Sequence, residues 1–245
     1  MDFKRNLQNS TKDDNQDMPV IDFLNSLDSS KEYDFLEIGS GMCRFTKKIK
    51  SLYPNIHITC VEINPKLAAI AKEEGFTIYN SNILETTINK QFDIVHCSHV
   101  IEHFPYPQVT SLLDKIVEWT KPMGHFIIIS PLMWELFYAD IDHVRPYLPI
   151  SITHYFNYEM QQKMSDAKIN VEMIWYRTMP KQLNPITSQY LIYAIKPLRR
   201  FINRVIIPKI NQLYEFLWKR YRCPASAPNG YVMINQLVSK GSLES

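Results

Sequence analysis

Glycine is scarce in this chain: 6 of 245 residues, about a third of the usual share of roughly 7%. Two of the six fall in one tripeptide, Gly39-Ser40-Gly41. Cysteine is sparse as well. Cys43, Cys60, Cys97 and Cys223 include no C-x-x-C pair and no framework of short spacings. That pattern excludes zinc-ribbon and disulfide-scaffold architectures and fits a reducing, cytoplasmic setting. No run reaches 18 apolar residues, the length a membrane-spanning helix needs. The opening Met1-Asp2-Phe3-Lys4-Arg5 leads into polar sequence instead of the apolar core of a secretory signal. A composition 45% hydrophobic and 21% charged excludes collagen-like and wholly disordered chains.

What is present is a mildly acidic body with one basic segment. Lys181 to Arg222 holds 9 Lys and Arg against the single Glu215, which leaves 18 basic and 24 acidic residues elsewhere. Residues 1 to 18 are polar and rich in Asn, Asp and Gln, and read as a disordered arm with order beginning near Val20.

From there short apolar runs alternate with segments of helical spacing. The runs are Tyr33–Ile38, His57–Val61, Phe76–Tyr79, Phe92–Cys97 and His125–Ile129. Between them Phe45, Ile49 and Leu52 share a helical face, and Asn64-Pro65 supplies N-cap and N1 chemistry for a helix that ends at Gly75. In Gln108–Thr120, Val109, Leu112, Leu113, Ile116 and Val117 follow the i, i+3, i+4, i+7, i+8 rule. Such alternation predicts an α/β fold with a parallel sheet. The end of the chain breaks the pattern. A helix is expected over Asn157–Ala167, and strands over Asn170–Tyr176 and Gly230–Val238, the last two forming an antiparallel edge. The expected organisation is a main domain of residues 19–180 plus 224–240, interrupted by a basic helical insertion at 181–223. Within that insertion Ile186–Arg222 carries apolar stripes (Leu198, Phe201, Ile202, Val205; Ile210, Leu213, Tyr214, Leu217) broken at Pro197 and Pro208. It fits a lid, a homodimer interface, or peripheral contact with the inner membrane surface.

The strand Asp34–Ile38 runs directly into Gly39-Ser40-Gly41-Met42-Cys43-Arg44 and a helix. In a parallel sheet this first strand-to-helix turn is where a nucleotide-type cofactor lies against open backbone. Glu62 stands about 20 residues later at the end of the second strand, placed to accept hydrogen bonds from a ribose diol or, alternatively, to help cap the helix at Asn64. A dinucleotide site wants G-x-G-x-x-G for the pyrophosphate, and here the sixth position is Arg44. A cofactor without phosphate has no need of that cradle.

On these residues the chain resembles the class I S-adenosylmethionine-dependent methyltransferases. The matching pieces are Leu36-Glu37-Ile38-Gly39-Ser40-Gly41, Val61-Glu62, Ser81-Asn82-Ile83, and Phe92-Asp93-Ile94-Val95 with Val100-Ile101-Glu102-His103-Phe104. The resemblance implies a doubly wound, seven-stranded Rossmann-like sheet with a late antiparallel strand. It also implies a cofactor held by Glu37, Gly39, Ser40, Gly41, Glu62, Ile63, Asn82, Ile83 and Ser98, with Glu37 suited to its ammonium group. The implied reaction is in-line transfer of a methyl group to a small-molecule, lipid-like or glycan acceptor. Oxygen is favoured over nitrogen, because Cys97-Ser98-His99-Val100 stands where an Asn/Asp-Pro-Pro-Tyr motif would follow the fourth strand.

His96, His99 and His103 cluster at the end of that strand. His96 is read as structural, and His103 is the candidate base, with a loop-scaffolding role as its alternative. Some O-methyltransferase groups that resemble this loop hold a divalent ion through Glu-x-x-Glu-His and a later Asp-His. Here His99, Glu102, His103, Asp142 and His143 would make a softer set, and a metal stays uncommitted. His143 is the second catalytic candidate. Arg145 suits an acceptor carboxylate or phosphate, unless it simply pairs with Asp142. The rival readings are an NAD-type reductase and a non-catalytic, membrane-docked binding module. Nucleic acid is disfavoured as a partner.

Overall fold

A computed structural model describes residues 16–134, 136–158, 164–180, 196–221 and 226–240. Cys223, the first ten residues of the Ile186–Arg222 stripe, residues 159–163 and residues 1–15 of the polar arm lie outside the described residues.

The elements are α1 (Asp17–Asn25), β1 (Tyr33–Ile38), α2 (Arg44–Leu52), β2 (Ile56–Val61), α3 (Pro65–Glu73), β3 (Thr77–Tyr79), β4 (Phe92–Ser98), α4 (Gln108–Trp119), β5 (Thr120–Pro131), α5 (Pro149–Asn157), β6 (Lys168–Pro180), α6 (Lys196–Phe201), α7 (Ile207–Tyr221) and β7 (Ser226–Ser239). The seven strands form one sheet in the order β3-β2-β1-β4-β5-β7-β6. β1 to β5 pair in parallel, and β7 runs antiparallel to β5 with Ile127 opposite Ile234. The order reverses between β1 and β4, and in such sheets a crevice opens at the strands' carboxyl ends at that point.

Local chemistry explains the elements that frame this crevice. α3 starts where Asn64 Oδ1 accepts the Lys66 N–H at 3.0 Å with Pro65 in the first turn. α4 buries all five residues of its apolar stripe. Buried β-branched and aromatic residues fill the strands, and the two faces are covered separately. Ile127 and Ile129 join Phe35, Ile94 and Val232 in a cluster with Val20, Ile21, Phe23 and Leu24 of α1. On the opposite face Phe126 meets Phe156 of α5, ring centroids 5.7 Å apart. Burial of such a side chain stabilises by about 1.5–3 kcal/mol, so α1 is an integral part of the sheet's cover.

Three expectations change. α1 begins at Asp17, ahead of the predicted onset at Val20, because Asp17 is clamped by Arg44. Of the helix expected over Asn157–Ala167, residues 159–163 lie outside the described residues, and the described helix of this region, α5, lies earlier. Pro149 starts it, and Asn157 ends it by bonding both backbone groups of Ile169, its Oδ1 accepting from the N–H at 3.1 Å and its Nδ2 donating to the carbonyl at 2.8 Å. Pro208 does not break the helical run, because a π turn at Ile202–Ile206 joins α6 to α7 just before it; Pro197 sits in the first turn of α6, where no N–H is needed.

The chain divides into two compact units. One comprises Gln16–Trp175 with Gly230–Ser245, and the other includes Tyr176–Asn229. Within the second unit α6, the π turn and α7 form a helical run, and Arg177 donates to Asn229 Oδ1 at 3.0 Å. Among the described residues no helix is long and apolar enough to cross a membrane.

Candidate active site

A cavity of about 510 Å³ lies at the carboxyl ends of β1, β2 and β4. Its floor is the turn after β1. Gly39 (φ +73°) and Gly41 (φ +52°) both take the left-handed conformation that favours glycine. A Cβ on Gly39 would stand 2.7 Å from Val100 Cγ2, whereas one on Gly41 would meet only open space. Gly39 therefore lets the β4 loop close onto the turn, and Gly41 leaves the space above it open to the cavity. Cys43, two residues on, holds φ +56° at the position that opens α2.

Glu62 lines the cavity and is buried. Its Oε2 accepts the Gly41 N–H and its Oε1 accepts the Asn64 N–H, both at 2.9 Å. The capping reading of Glu62 is present, since it helps to fix α3's entry, and a carboxylate so bonded retains acceptor capacity beside the cavity. Ile63, Asn82 and Ile83 stand on the wall as expected, with Leu67 and Phe104 adding apolar surface. Asn82 uses its Oδ1 to accept the Leu84 N–H at 3.0 Å, which shapes its own turn.

Glu37, Ser40 and Ser98 do not line this cavity. For Glu37 the reason is strand alternation. Ile38 takes the cavity side, and Glu37 turns to the face covered by α1, where both its oxygens lie within 3.0 Å of His96 Nδ1. His96 is buried against Phe45, ring centroids 4.7 Å apart, which is the structural role expected of it.

Beneath α1, Arg44 holds Asp17 through two bonds of 2.6 and 2.9 Å, with Lys48 at 3.6 Å. Burial alone would push the Asp17 carboxyl up, but the Arg44 bond and charge with Lys48 outweigh it and hold the group below the ordinary carboxylate value. Gln16, one residue earlier, reaches His99 at the cavity edge at 2.8 Å. Sequence reasoning missed Asp17 and Gln16. Their partners stand 27 and 83 residues away, so no local pattern announces them.

Of the two catalytic candidates, His103 lines the cavity and His143 packs against His103. Ile101–His103 is a single 3₁₀ turn following β4. His103 and Asp142 line the cavity, and His103 Nδ1 lies 3.2 Å from the Asp142 carbonyl and 3.3 Å from its carboxylate. A proton on Nδ1 satisfies both, leaving Nε2 as the acceptor. His143 does not line this cavity but packs edge-on against His103, centroids 5.0 Å apart, and its Nδ1 donates to the Phe137 carbonyl at 2.7 Å. Glu102 is fully buried; its carboxylate meets His99 Nδ1 at 3.2 Å and accepts from Ser130 Oγ at 3.2 Å.

One donor atom from each of Glu102, His103 and His143 lies within 4.8 Å of the other two. Of the five residues that the sequence offered for a metal, these three are gathered. His99 and Asp142 instead orient Glu102 and His103. A two-imidazole, one-carboxylate set suits zinc, manganese or cobalt better than magnesium, and such an ion would polarise an acceptor oxygen.

The cavity accommodates an S-adenosyl cofactor on three observations: open space over Gly41, the carboxylate of Glu62, and a lining with no Lys or Arg among the described residues. The last point opposes a pyrophosphate and suits a sulfonium.

Comparison with known proteins agrees. Residues 36–126 match the family described as a methyltransferase domain. Over this core the chain is similar to S-adenosylmethionine-dependent methyltransferases. The methyltransferase str2 of Strobilurus tenacellus is 22% identical over 177 residues, 71% of this chain and 62% of that protein, so the match spans less than two thirds of that relative's length. Two solved structures share the fold of this domain. A SAM-dependent methyltransferase from Archaeoglobus fulgidus superimposes with a TM-score of 0.53 at 22% identity, covering 89% of this chain and 91% of its own. The N-methyltransferase NodS from Bradyrhizobium japonicum WM9, in complex with S-adenosyl-L-homocysteine, gives 0.52 at 14% identity, covering 95% and 97%.

Proposed function

We propose that this chain is an enzyme that transfers the methyl group of S-adenosylmethionine to a hydroxyl oxygen of a small-molecule, lipid-like or glycan acceptor. The observation that carries the reading is His103, set on the wall of a phosphate-averse cofactor cavity with its Nδ1 committed to Asp142 and its Nε2 left to take a proton. The cofactor supplies a methyl carbon on a sulfonium whose sulfur leaves neutral, so no acid is needed for the leaving group. What the protein adds is position and proton removal. The Gly39–Gly41 backbone and Glu62 hold the nucleoside end, and Ile63, Ile83 and Phe104 offer apolar surface to its base. As an acceptor oxygen attacks the methyl carbon, its proton passes to His103 Nε2, and the Asp142 carboxylate stabilises the imidazolium. The absence of an amino-methylation motif after β4 supports oxygen over nitrogen.

The same three side chains support a metal-assisted version, in which Glu102, His103 and His143 hold a divalent ion. Calorimetry with S-adenosylhomocysteine and with NADH tests the cofactor, and binding of NADH alone would return the chain to the reductase reading. Methyl transfer from labelled S-adenosylmethionine to an extract, followed before and after dialysis against a chelator, tests the rest. Activity that survives chelation but falls at least about a hundredfold in His103→Asn fits a base. Activity lost on chelation and restored by manganese or zinc fits the ion.

Peripheral membrane contact through the basic helices belongs to this proposal. Leu198, Phe201, Ile206, Leu213 and Phe216 are exposed. Their spacings of 3 and 7 keep one α-helical face, and the spacing of 5 between Phe201 and Ile206 coincides with the π turn. Arg200, Arg204, Lys209, Lys219 and Arg220 accompany them against the single acid Glu215. Such a stripe suits an anionic bilayer surface. Flotation with phosphatidylserine vesicles is expected to carry the protein up, and Phe201→Asp/Phe216→Asp to leave it at the bottom. Equal behaviour of the two would remove this contact.

A further inference from the structure

A second cavity, of about 480 Å³, shares no lining residue with the first but is built from the same two loops. His99, Val100, His103, Phe104 and Asp142 face the cofactor cavity, whereas Ile101, Tyr106, Arg145 and Tyr147 face the second. The wall between them is hydrogen bonded through. The Glu102 carbonyl accepts from the Val144 N–H at 2.9 Å and the Arg145 N–H at 3.3 Å, while Tyr147 Oη donates to the Phe104 carbonyl at 2.6 Å.

Arg145 carries the second cavity's positive charge. Its sequence-expected partner Asp142 pairs with His103 instead, and the segment's other acid, Asp140, lies 3.8 Å from His143. Among the described residues no carboxylate stands within 4.0 Å of the Arg145 guanidinium, which sits 5.2 Å from the centre of the Tyr147 ring. Apart from the hydroxyls of Thr110 and Ser151 the rest of the lining is apolar or aromatic, with Ile101, Val109 and Ile152 buried. Tyr155 is fixed by donating to Asp114 Oδ1 at 2.8 Å, which occupies that acid, and burial together with this bond pushes the phenol well above its usual range. A cation without a counter-charge at the edge of an apolar, tyrosine-rich cavity of this size recognises a small molecule with an aromatic or apolar body and one anionic end.

We infer that this cavity binds such an anion, a carboxylate or phosphate held by Arg145, as the anchoring end of the methyl acceptor. The role as acceptor site rests on the methyl-transfer reading; the binding chemistry does not. Bridging through Glu102 and Phe104 makes the loops that present His103 to one cavity the loops that present Arg145 to the other.

The test is ligand-observed NMR on the full chain with phenyl phosphate, benzoate and benzyl alcohol as probes, alongside calorimetry with S-adenosylhomocysteine. Binding of phenyl phosphate, benzoate or both, more tightly than benzyl alcohol, is expected, and which anion leads separates phosphate from carboxylate ligands. Arg145→Gln should weaken that binding about tenfold, Arg145→Lys should recover part of it, and S-adenosylhomocysteine affinity should stay within about twofold in both. Equal binding of the neutral probe, no detectable binding of either anion, or anion binding unaltered in Arg145→Gln would each overturn the assignment. Anion binding without S-adenosylhomocysteine binding would leave the site standing and remove the methyl-transfer reading. Cofactor binding without anion binding does the reverse.

Discussion

Gly39 meets two demands at one position, a positive φ and a close approach of Val100. Gly39→Ala is expected to lose about 1–2 kcal/mol from the backbone alone, with a further steric loss that Val100→Ala relieves. Urea unfolding of the single and double variants should show this partial recovery. Glu62 illustrates the opposite economy, one side chain serving the turn after β1, the entry to α3 and the ligand. Glu62→Gln keeps an acceptor for one of its two N–H partners, so its S-adenosylhomocysteine affinity is expected to fall about tenfold by calorimetry. The buried thiols are chemically quiet. Burial, with the nearby Glu37 and, for Cys97, Glu102, pushes Cys60 and Cys97 above the usual thiol range. At pH 8 iodoacetamide should leave both unlabelled in the folded protein and label both in denaturant, as read by peptide mass spectrometry.

Among the elements, α1 depends on a single buried carboxylate. Asp17→Asn removes the charge-assisted pair with Arg44 and is expected to lower stability by about 1–2 kcal/mol at pH 7. The pH dependence follows from its lowered folded value. Protection is complete above the unfolded carboxylate value, about 4, and disappears as pH falls through the folded one. The gap in thermal midpoint between wild type and Asp17→Asn should therefore hold from pH 7 down to about 5 and close in stronger acid. α1 also shows where sequence patterns stop. α4 was legible because its five buried residues repeat at helical spacing, and the β strands because apolar runs stood between turn residues. The start of α1 is decided by a partner 27 residues away, and α5 by Asn157 reaching β6, neither of which leaves a local periodicity. In the site, the placement of Gly39, Gly41, Glu62, Ile63, Asn82, Ile83 and His103 around one cavity was legible because it follows from position after strand ends. Glu37 and Asp142 were not, since strand alternation and the choice between His103 and Arg145 are settled only when β4 and the Asp140–Tyr147 loop come together.

At the scale of the molecule, the cofactor and the domain's stability are linked. S-adenosylhomocysteine at about 100 times its Kd adds about 2.7 kcal/mol, which for a chain of this length raises the melting temperature by about 5–10 °C. Scanning fluorimetry should show that rise, with NADH giving none. Sheet order has a consequence of a different kind, for the newborn chain. β7 lies between β5 and β6, yet follows both in sequence. As the ribosome delivers the chain, β5 emerges with an open edge, and β6 must wait, unpaired, until more than forty further residues bring the strand that separates them. That interval leaves the apolar edge of β5 exposed to other nascent chains. A chain stopped before Ser226 should accordingly be recovered in the insoluble fraction, whatever the state of its active-site residues.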